Sequence, residues 1–247
     1  MTAAGFRLNG ASLAADPSGA LWWPEMRTLV VADLHFEKGS AFTTEGRALL
    51  PPYDSHATLD RLEALARRYS PARWVSLGDG FHDRHADLRL DPDAAGRLDR
   101  LARSCEWLWL RGNHDPEAPR GFGGRALGEW RAGPLVFRHE PHPRPAPGEV
   151  AGHLHPRATV ATGRRQVSGR VFVTDGRRLL LPAFGAYAGG LDVHDPAVRL
   201  LFARPPRVLL PGPERVHAFP WSRLAVPDRL RNGAGPTAVS GSGPTSP

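Results

Sequence analysis

Hydrophobic positions along the first half of the chain switch repeatedly between strand and helix periods. Phe6–Leu8 and Leu21–Trp23 are short apolar runs on either side of Asp16-Pro17-Ser18-Gly19, a turn composition, and predict an N-terminal hairpin. Thr28–Ala32 is a β-branched apolar run that reads as a buried strand delivering Asp33 at its carboxyl end. Pro51-Pro52 breaks the chain. Asp54 or Ser55 can then cap a helix whose buried face is Leu59, Leu62, Leu65 and Tyr69, and which stops before Pro71. Arg73–Leu77 is a second buried strand, ending at Gly78-Asp79. Asp91-Pro92 couples a cap with proline at the first helical position, ahead of the stripe Ala95, Leu98, Leu101 and Ala102. Trp107–Leu110 is a third strand covered on both faces, with Trp107 and Trp109 in the core, and it ends at Arg111-Gly112-Asn113-His114. Cys105, after the second helical stripe, reads as a buried small hydrophobe.

Strand and helix therefore alternate, and each of three strands ends in a polar cluster. Ligand sites of open α/β sheets lie beyond the carboxyl ends of strands. The second half is different. Leu135–Arg138, Glu149–Gly152, Val171–Thr174, Arg178–Leu181 and Leu191–Val193 are short β segments joined by Gly/Pro/Asp turns, with no helix expected among them. Residues 232–247 carry no charge and almost no bulky apolar group, the composition of a flexible tail, which leaves 1–231 as one domain.

Composition narrows the chemistry. The chain has 247 residues and one cysteine, which excludes an intramolecular disulfide framework and a thiolate zinc site. No apolar run approaches the roughly 20 residues of a membrane span. The first 20 residues lack the apolar region of a secretory signal, so no membrane partner and a cytoplasmic address are expected. The formal net charge of +7 suggests nucleic acid only weakly. Lysine occurs once, at Lys38, in a chain otherwise biased toward arginine. Residues 199–231 hold seven arginines against two acids, whereas 1–198 hold 25 basic and 23 acidic residues. Arg204 and Arg207 are the residues to test if that C-terminal segment tracks DNA phosphates.

Five polar blocks stand at or just past strand ends. They are Asp33-x-His35, Gly78-Asp79, Gly112-Asn113-His114-Asp115, His139 within Phe137-Arg138-His139-Glu140, and Gly152-His153-Leu154-His155. Neutral imidazole with carboxylate and no thiolate suits manganese, iron or zinc. Asp33, His35, Asp79, Asn113, His139, His153 and His155 supply seven candidate ligands, enough for two six-coordinate ions that share one carboxylate and a water.

Any one block is common; all five in this order are specific. The pattern D-x-H, G-D, G-N-H-[DE], H and G-H-x-H resembles the metallophosphoesterase (calcineurin-like) superfamily, matched at every metal-binding position. From about residue 20 to about residue 220, the stretches ADLHFEKGS, LLPPYD, LGDGFHD, RGNHDP, VFRHEP, AGHLHP, VFVTDGRRLLLPAFGAYAGGLDV and VHAFP resemble the ligase-associated DNA damage response endonucleases of the PdeM type. Gly80 departs from that pattern, which would place a side chain there. The resemblance implies an α/β fold with a central β-sandwich flanked by helices in four layers, α/β/β/α. It implies two divalent metal ions, manganese ahead of iron or zinc. Asp33, His35, Asp79 and His155 would hold the first; Asp79, Asn113, His139 and His153 the second, with Asp79 bridging. His114 would serve the leaving group, and Asp115 would orient it through the other ring nitrogen. The implied activity is phosphodiester hydrolysis in DNA during repair, beside an ATP-dependent ligase, a helicase-like protein and a companion nuclease. The rival readings are a phosphatase or phosphodiesterase for small phosphoesters or nucleotides, and a non-catalytic, metal-bound repair scaffold.

Several residues stay open between two roles. His82 and Asp83 either line the pocket near Asp79 or belong to a solvated loop. Lys38 is either an ammonium placed for phosphate or a surface residue. Tyr53 either positions substrate or packs beneath the Pro-Pro turn, and packing is expected. Phe184, Gly185 and Tyr187 either form a loop against the metals or pack as aromatics, and packing is again expected.

Overall fold

A computed structural model describes residues 1–44, 53–115, 119–144, 146–162 and 165–227. The Pro51-Pro52 break and the 232–247 tail lie outside these residues.

The first sheet follows chain order. β1 (Ala4–Leu8), β2 (Ala11–Ala15), β3 (Leu21–Trp23) and β4 (Thr28–Val31) form an antiparallel meander. The expected pairing of Phe6–Leu8 with Leu21–Trp23 does not form: Phe6–Leu8 lies in β1 and pairs with β2, and it is β2 that meets β3 across the Asp16–Gly19 turn. β1 folds onto β2 through Asn9-Gly10, both left-handed (φ 47° and 93°), as a two-residue hairpin turn requires. α1 (Lys38–Thr44) and α2 (Asp54–Tyr69) follow, then β5 (Arg73–Ser76), α3 (Ala86–Arg89), α4 (Pro92–Ser104), β6 (Glu106–Leu110) and β7 (Arg125–Leu127). β4 to β7 are mutually parallel neighbours, so their carboxyl ends share one edge. Leu59, Leu62 and Leu65 of α2 and Leu98 and Leu101 of α4 cover one face over Leu29, Val31, Trp74 and Trp107.

Asp91 caps α4, accepting from the amides of Asp93 and Ala94 at 3.0 Å each. Neither Asp54 nor Ser55 caps α2, because both lie inside the helix and are buried. Asp54 Oδ2 accepts from Gly39 N at 2.9 Å, and Ser55 Oγ accepts from Glu37 N at 3.0 Å while donating to Glu37 Oε1 at 2.8 Å. The two side chains fasten the turn before α1 instead.

The second sheet is built from β8 (Glu129–Ala132), β9 (Leu135–Arg138), β10 (Glu149–Ala151), β13 (Phe172–Thr174), β14 (Arg178–Leu180), β15 (Arg207–Pro211) and β16 (Val216–Pro220). Its order is β16-β15-β13-β14-β10-β9-β8, with β9, β10 and β14 parallel. β11 (Arg157–Thr162) and β12 (Arg165–Arg170) form a separate ribbon, and α5 (Pro196–Arg199) is a single turn. Leu191–Val193 makes no strand; it hydrogen-bonds the backbone of Arg157 from both sides. The sheets face each other across Leu13, Trp23, Val30, Val75 and Leu108 from one side and Phe137, Val150, Phe172 and Leu179 from the other. The ribbon and α5 close the outer face around Val160, Val173, Val198, Phe202 and Val208. The two large sheets thus form the central sandwich, with helices on one flank and mainly the ribbon on the other.

Register settles where the basic C-terminal segment lies. Arg207 pairs with Thr174, Thr174 with Leu179 and Leu179 with Val150, so β15 runs parallel to β10. Arg207 begins its strand at the end opposite the one from which β10 leads to His153. Among the described residues no helix is long and apolar enough to cross a membrane.

Candidate metal centre

The polar blocks follow β4, β5, β6, β9 and β10, whose carboxyl ends meet across the two sheets. Asp33 and His35 leave the extended backbone of β4. Asp33, His35, Asp79, His153 and His155 all adopt left-handed backbone, with φ of 53°, 46°, 47°, 69° and 45°. Aspartate tolerates this region better than histidine does, and neither adopts it without support. Left-handed residues alternate with buried Leu34 and Phe36, which enter the helix-side core and hold the loop down. Asp33 N donates to Gly78 O at 3.3 Å and His35 N to Asp79 O at 2.9 Å, so the two loops continue to pair beyond their strands.

Glycine precedes three donor blocks because a side chain does not fit there. A Cβ on Gly112 would lie 2.1 Å from Asp79 Oδ1, and one on Gly152 would lie 2.7 Å from Asp33 Oδ2. Gly80, the departure from the expected pattern, faces the Trp109 ring, which would stand 3.2 Å from an added Cβ.

Six donors form two groups of three. Asp33, His35 and His155 are one; Asp79, His139 and His153 are the other, with ligand atoms in each group within 4.8 Å of one another. Asp33, His35, Asp79 and His139 are buried. His35 Nε2 lies 3.2 Å from His155 Nε2, and His153 Nδ1 lies 3.1 Å from His139 Nε2. Asp33 Oδ1 is 3.4 Å from His155 Nε2, and Asp79 Oδ2 is 3.4 Å from His139 Nε2. Asn113 Oδ1 joins the second group, 2.8 Å from His139 Nε2. The backbone also serves the carboxylates: His153 N donates to Asp33, and His114 N donates to Asp79 Oδ1 at 3.0 Å.

This donor set fits divalent cations. His139 Nδ1–H donates to Leu77 O at 2.7 Å, which turns Nε2 toward Asn113 Oδ1 and Asp79 Oδ2. Burial, reinforced by His155, drives the His35 imidazole far below its ordinary pKa and keeps it neutral. His153 is lowered too, first by burial and then by His139. Neutral imidazoles converging on two buried carboxylates are what a metal needs and what protons would disrupt.

The surroundings distribute the remaining candidates. His114 is exposed, with Nε2 at 4.0 Å from Asp79 Oδ2. Its ring stacks on His82, centroids 5.3 Å apart at 19°, and meets His35 edge-on at 5.4 Å. His82 therefore belongs to the site. Asp83 does not: it forms a two-oxygen ion pair with Arg89 and accepts from His85 N. Asp115 does not orient His114 as the resemblance implied. Its Oδ1 accepts from Asp79 N at 2.9 Å, and its Oδ2 from Gly80 N at 2.7 Å and Phe81 N at 3.1 Å. The carboxylate is spent on the Asp79 loop, which it holds in shape. Burial pushes its pKa up to about 7, with Asp79 adding to the rise and the three amides opposing it.

Lys38 is half-buried at the start of α1, within electrostatic reach of Asp33 and Asp79. Tyr53 is 68% exposed and does not pack as expected. The Phe184-Gly185 segment both packs and abuts the centre. Phe184 is fully buried, its amide donates to Ala32 O at 2.7 Å, and Gly185 N donates to Asp33 O at 3.1 Å. On the other side, a groove of about 460 Å³ opens beside Asn113 and His139, between Arg111 and Arg138.

A model of the calcineurin-like phosphoesterase family matches residues 26–206, which span every donor. The chain belongs to the calcineurin-like phosphoesterase family. As a member of it, this chain is a metal-dependent phosphoesterase. The crystal structure of the Pseudomonas putida nuclease MPE is similar to this calcineurin-like phosphoesterase at 27% identity and a TM-score of 0.68, covering 88% of this chain and 100% of that one. The phosphoesterase Yfce from E. coli is similar at 15% identity and a TM-score of 0.37, over 74% and 87% of the two chains. No curated protein sequence matches this family member.

Proposed function

We propose that the protein is an endonuclease that hydrolyses phosphodiester bonds in DNA with two divalent ions, manganese foremost. The reading rests on one observation above the rest: two three-residue donor groups stand side by side beneath the exposed His114. Asp33, His35 and His155 would hold one ion, and Asp79, Asn113, His139 and His153 the other, with Asp79 between them. Ions bound there would lower the pKa of a water and neutralise phosphoryl oxygens. The chain's own contribution is placement. Leu77 O fixes the His139 tautomer, Asp115 shapes the Asp79 loop, and His114 stands where it can donate a proton to a leaving oxygen.

A nucleic-acid substrate is supported by the likeness to a nuclease along that protein's whole length. A cytoplasmic role in DNA repair, beside a ligase, a helicase-like protein and a companion nuclease, is supported by the EKG, PPYD, GDxFHD and PAFGAYxGG stretches. Residues 1–231 would form the catalytic domain and 232–247 a tail. The test is hydrolysis of bis-p-nitrophenyl phosphate and of DNA with Mn²⁺, set against Asp79→Asn. Loss of both activities in the variant is expected. Full activity retained by it would overturn the two-ion proposal, and cleavage of small phosphoesters alone would overturn the nuclease.

A further inference from the structure

Basic side chains gather on the Asp33–His155 flank of the centre, and among the described residues no carboxylate pairs with the arginines of that flank. β11 and β12 place Arg157 directly opposite Arg170 in the first pair of their register. Like charges facing each other across a ribbon are destabilising. Arg170 answers with neutral acceptors only: Nη1 donates to Ala183 O at 3.0 Å and Nη2 to Ala186 O at 2.8 Å. Arg61 does the same beneath it, donating to Phe184 O at 2.7 Å and Ser18 O at 2.6 Å, with its guanidinium 4.0 Å over the Phe184 ring. These bonds clamp the loop on which Asp33 rests, but they leave the charge uncompensated.

Arg157 is the member with spare donors. Its guanidinium makes no hydrogen bond or ion pair among the described residues. It follows His155 by two positions, and its Cγ and Cδ pass beside Gly190, which packs under the His155 carbonyl. Lys38 lies within electrostatic range of both Arg170 and His35, which adds a fourth cation to the same flank. The acids that Lys38 senses are Asp33, Asp54 and Asp79. Two of these would be neutralised by bound metal, and the flank then turns more positive as the centre is loaded.

We propose that Arg157, backed by Arg170 and Lys38, is a second anion subsite that takes a phosphate of the nucleic-acid strand next to the one cleaved. The proposal rests on the nuclease reading. It makes Arg157 a selectivity residue, since a substrate with a single phosphate cannot use the subsite. Arg170 is the positioning residue, because its donors already hold the 183–186 loop.

The experiment compares wild type, Arg157→Gln, Arg157→Lys and Lys38→Gln on an oligonucleotide and on bis-p-nitrophenyl phosphate, with Mn²⁺ across a salt series. Arg157→Gln should lower the kcat/KM ratio, oligonucleotide over small diester, about tenfold, and the loss should appear in KM. The slope of log KM against log salt should fall by about one for each cation removed. Arg157→Lys should recover part of both effects. An equal loss on the two substrates would make Arg157 a structural residue and overturn the subsite, as would an unchanged salt slope. A wild-type enzyme that hydrolyses the small diester but no nucleic acid would overturn the nuclease reading itself and the subsite with it.

Discussion

His139 is oriented through one ring nitrogen and offers the other to the centre: Nδ1–H donates to Leu77 O at 2.7 Å, and Nε2 lies 2.8 Å from Asn113 Oδ1. β5 leads into the carbonyl that orients the ring, β9 delivers the ring itself, and the loop after β6 supplies Asn113. One imidazole therefore ties together both sheets. His139→Ala should remove a donor from the second group. Metal content per chain, measured by inductively coupled plasma spectrometry, should fall from two toward one, and kcat/KM by at least about 10²-fold. Two ions retained at full activity would exclude His139 as a ligand.

His114 can be separated from the ligands by choice of leaving group. A nitrophenolate leaves without a proton, whereas a nucleotide oxygen needs one. His114→Asn should therefore cost about 10²-fold or more on DNA and clearly less on bis-p-nitrophenyl phosphate. Equal losses on both would show that it acts on phosphate binding instead. His82→Ala, which removes the ring stacked on His114, should produce the same asymmetry at smaller size.

Gly112 offers a steric test. Its added Cβ would collide with Asp79 Oδ1 at 2.1 Å and Asp79 N at 2.3 Å, both rigidly held. Gly112→Ala should cost about 1–3 kcal/mol of stability and weaken metal binding. Gly5→Ala, with nothing within 4 Å of the new Cβ, should leave both near wild type. Thermal denaturation with and without Mn²⁺ reads both quantities.

The metal-free protein should be most stable near pH 6.5. His35 and His153 have folded pKa values below the unfolded value of 6.5, so the unfolded chain takes up more protons below that pH and stability falls on acidification. Each contributes a slope of about 1.4 kcal/mol per pH unit at most. Asp115 acts in the opposite sense. Its folded pKa of about 7 lies above the unfolded 3.8, so its contribution is lost as pH rises through 7. Two histidines outweigh one carboxylate below 6.5. Urea denaturation in EDTA from pH 5 to 8 measures the curve, and His35→Asn should flatten its acid limb.

Arg204 and Arg207 should be silent in catalysis. The register puts Arg207 at the strand end opposite the His153 loop. Charge reversal at both should leave KM for DNA within about twofold and the salt slope unchanged, in contrast to Arg157→Gln. A loss equal to that of Arg157→Gln would mean that the strand wraps to the far end of the sandwich.

The strands that carry donors were legible because each is a compact apolar run ending abruptly in Asp, Asn or His. What escaped reading has a common cause. β2 is alanine and serine around the single Leu13, and β12 is Arg165–Arg170 with Val167 its one bulky apolar residue, so neither shows a run of bulky apolar residues. α1, Lys-Gly-Ser-Ala-Phe-Thr-Thr, has no apolar repeat in its sequence to announce it. The donors were visible by type, but nothing in the identity of a histidine predicts a left-handed backbone at 35, 153 or 155. Asp115 was misjudged for a related reason: sequence shows its neighbour His114, not the three amides of residues 79–81 that fold back to it. His82 left a signal in the GDxFHD block, and only the stacking distance decided between its two roles.

The left-handed donors place stability and activity in opposition. A histidine at φ near 45° costs energy that glycine would not. Glycine at 35, 153 or 155 would relax the backbone of the metal-free chain while abolishing a ligand. A search for thermostable variants without metal would therefore drift toward inactive ones. Asparagine, which tolerates the same backbone region, is the replacement that removes a donor while leaving that strain largely in place.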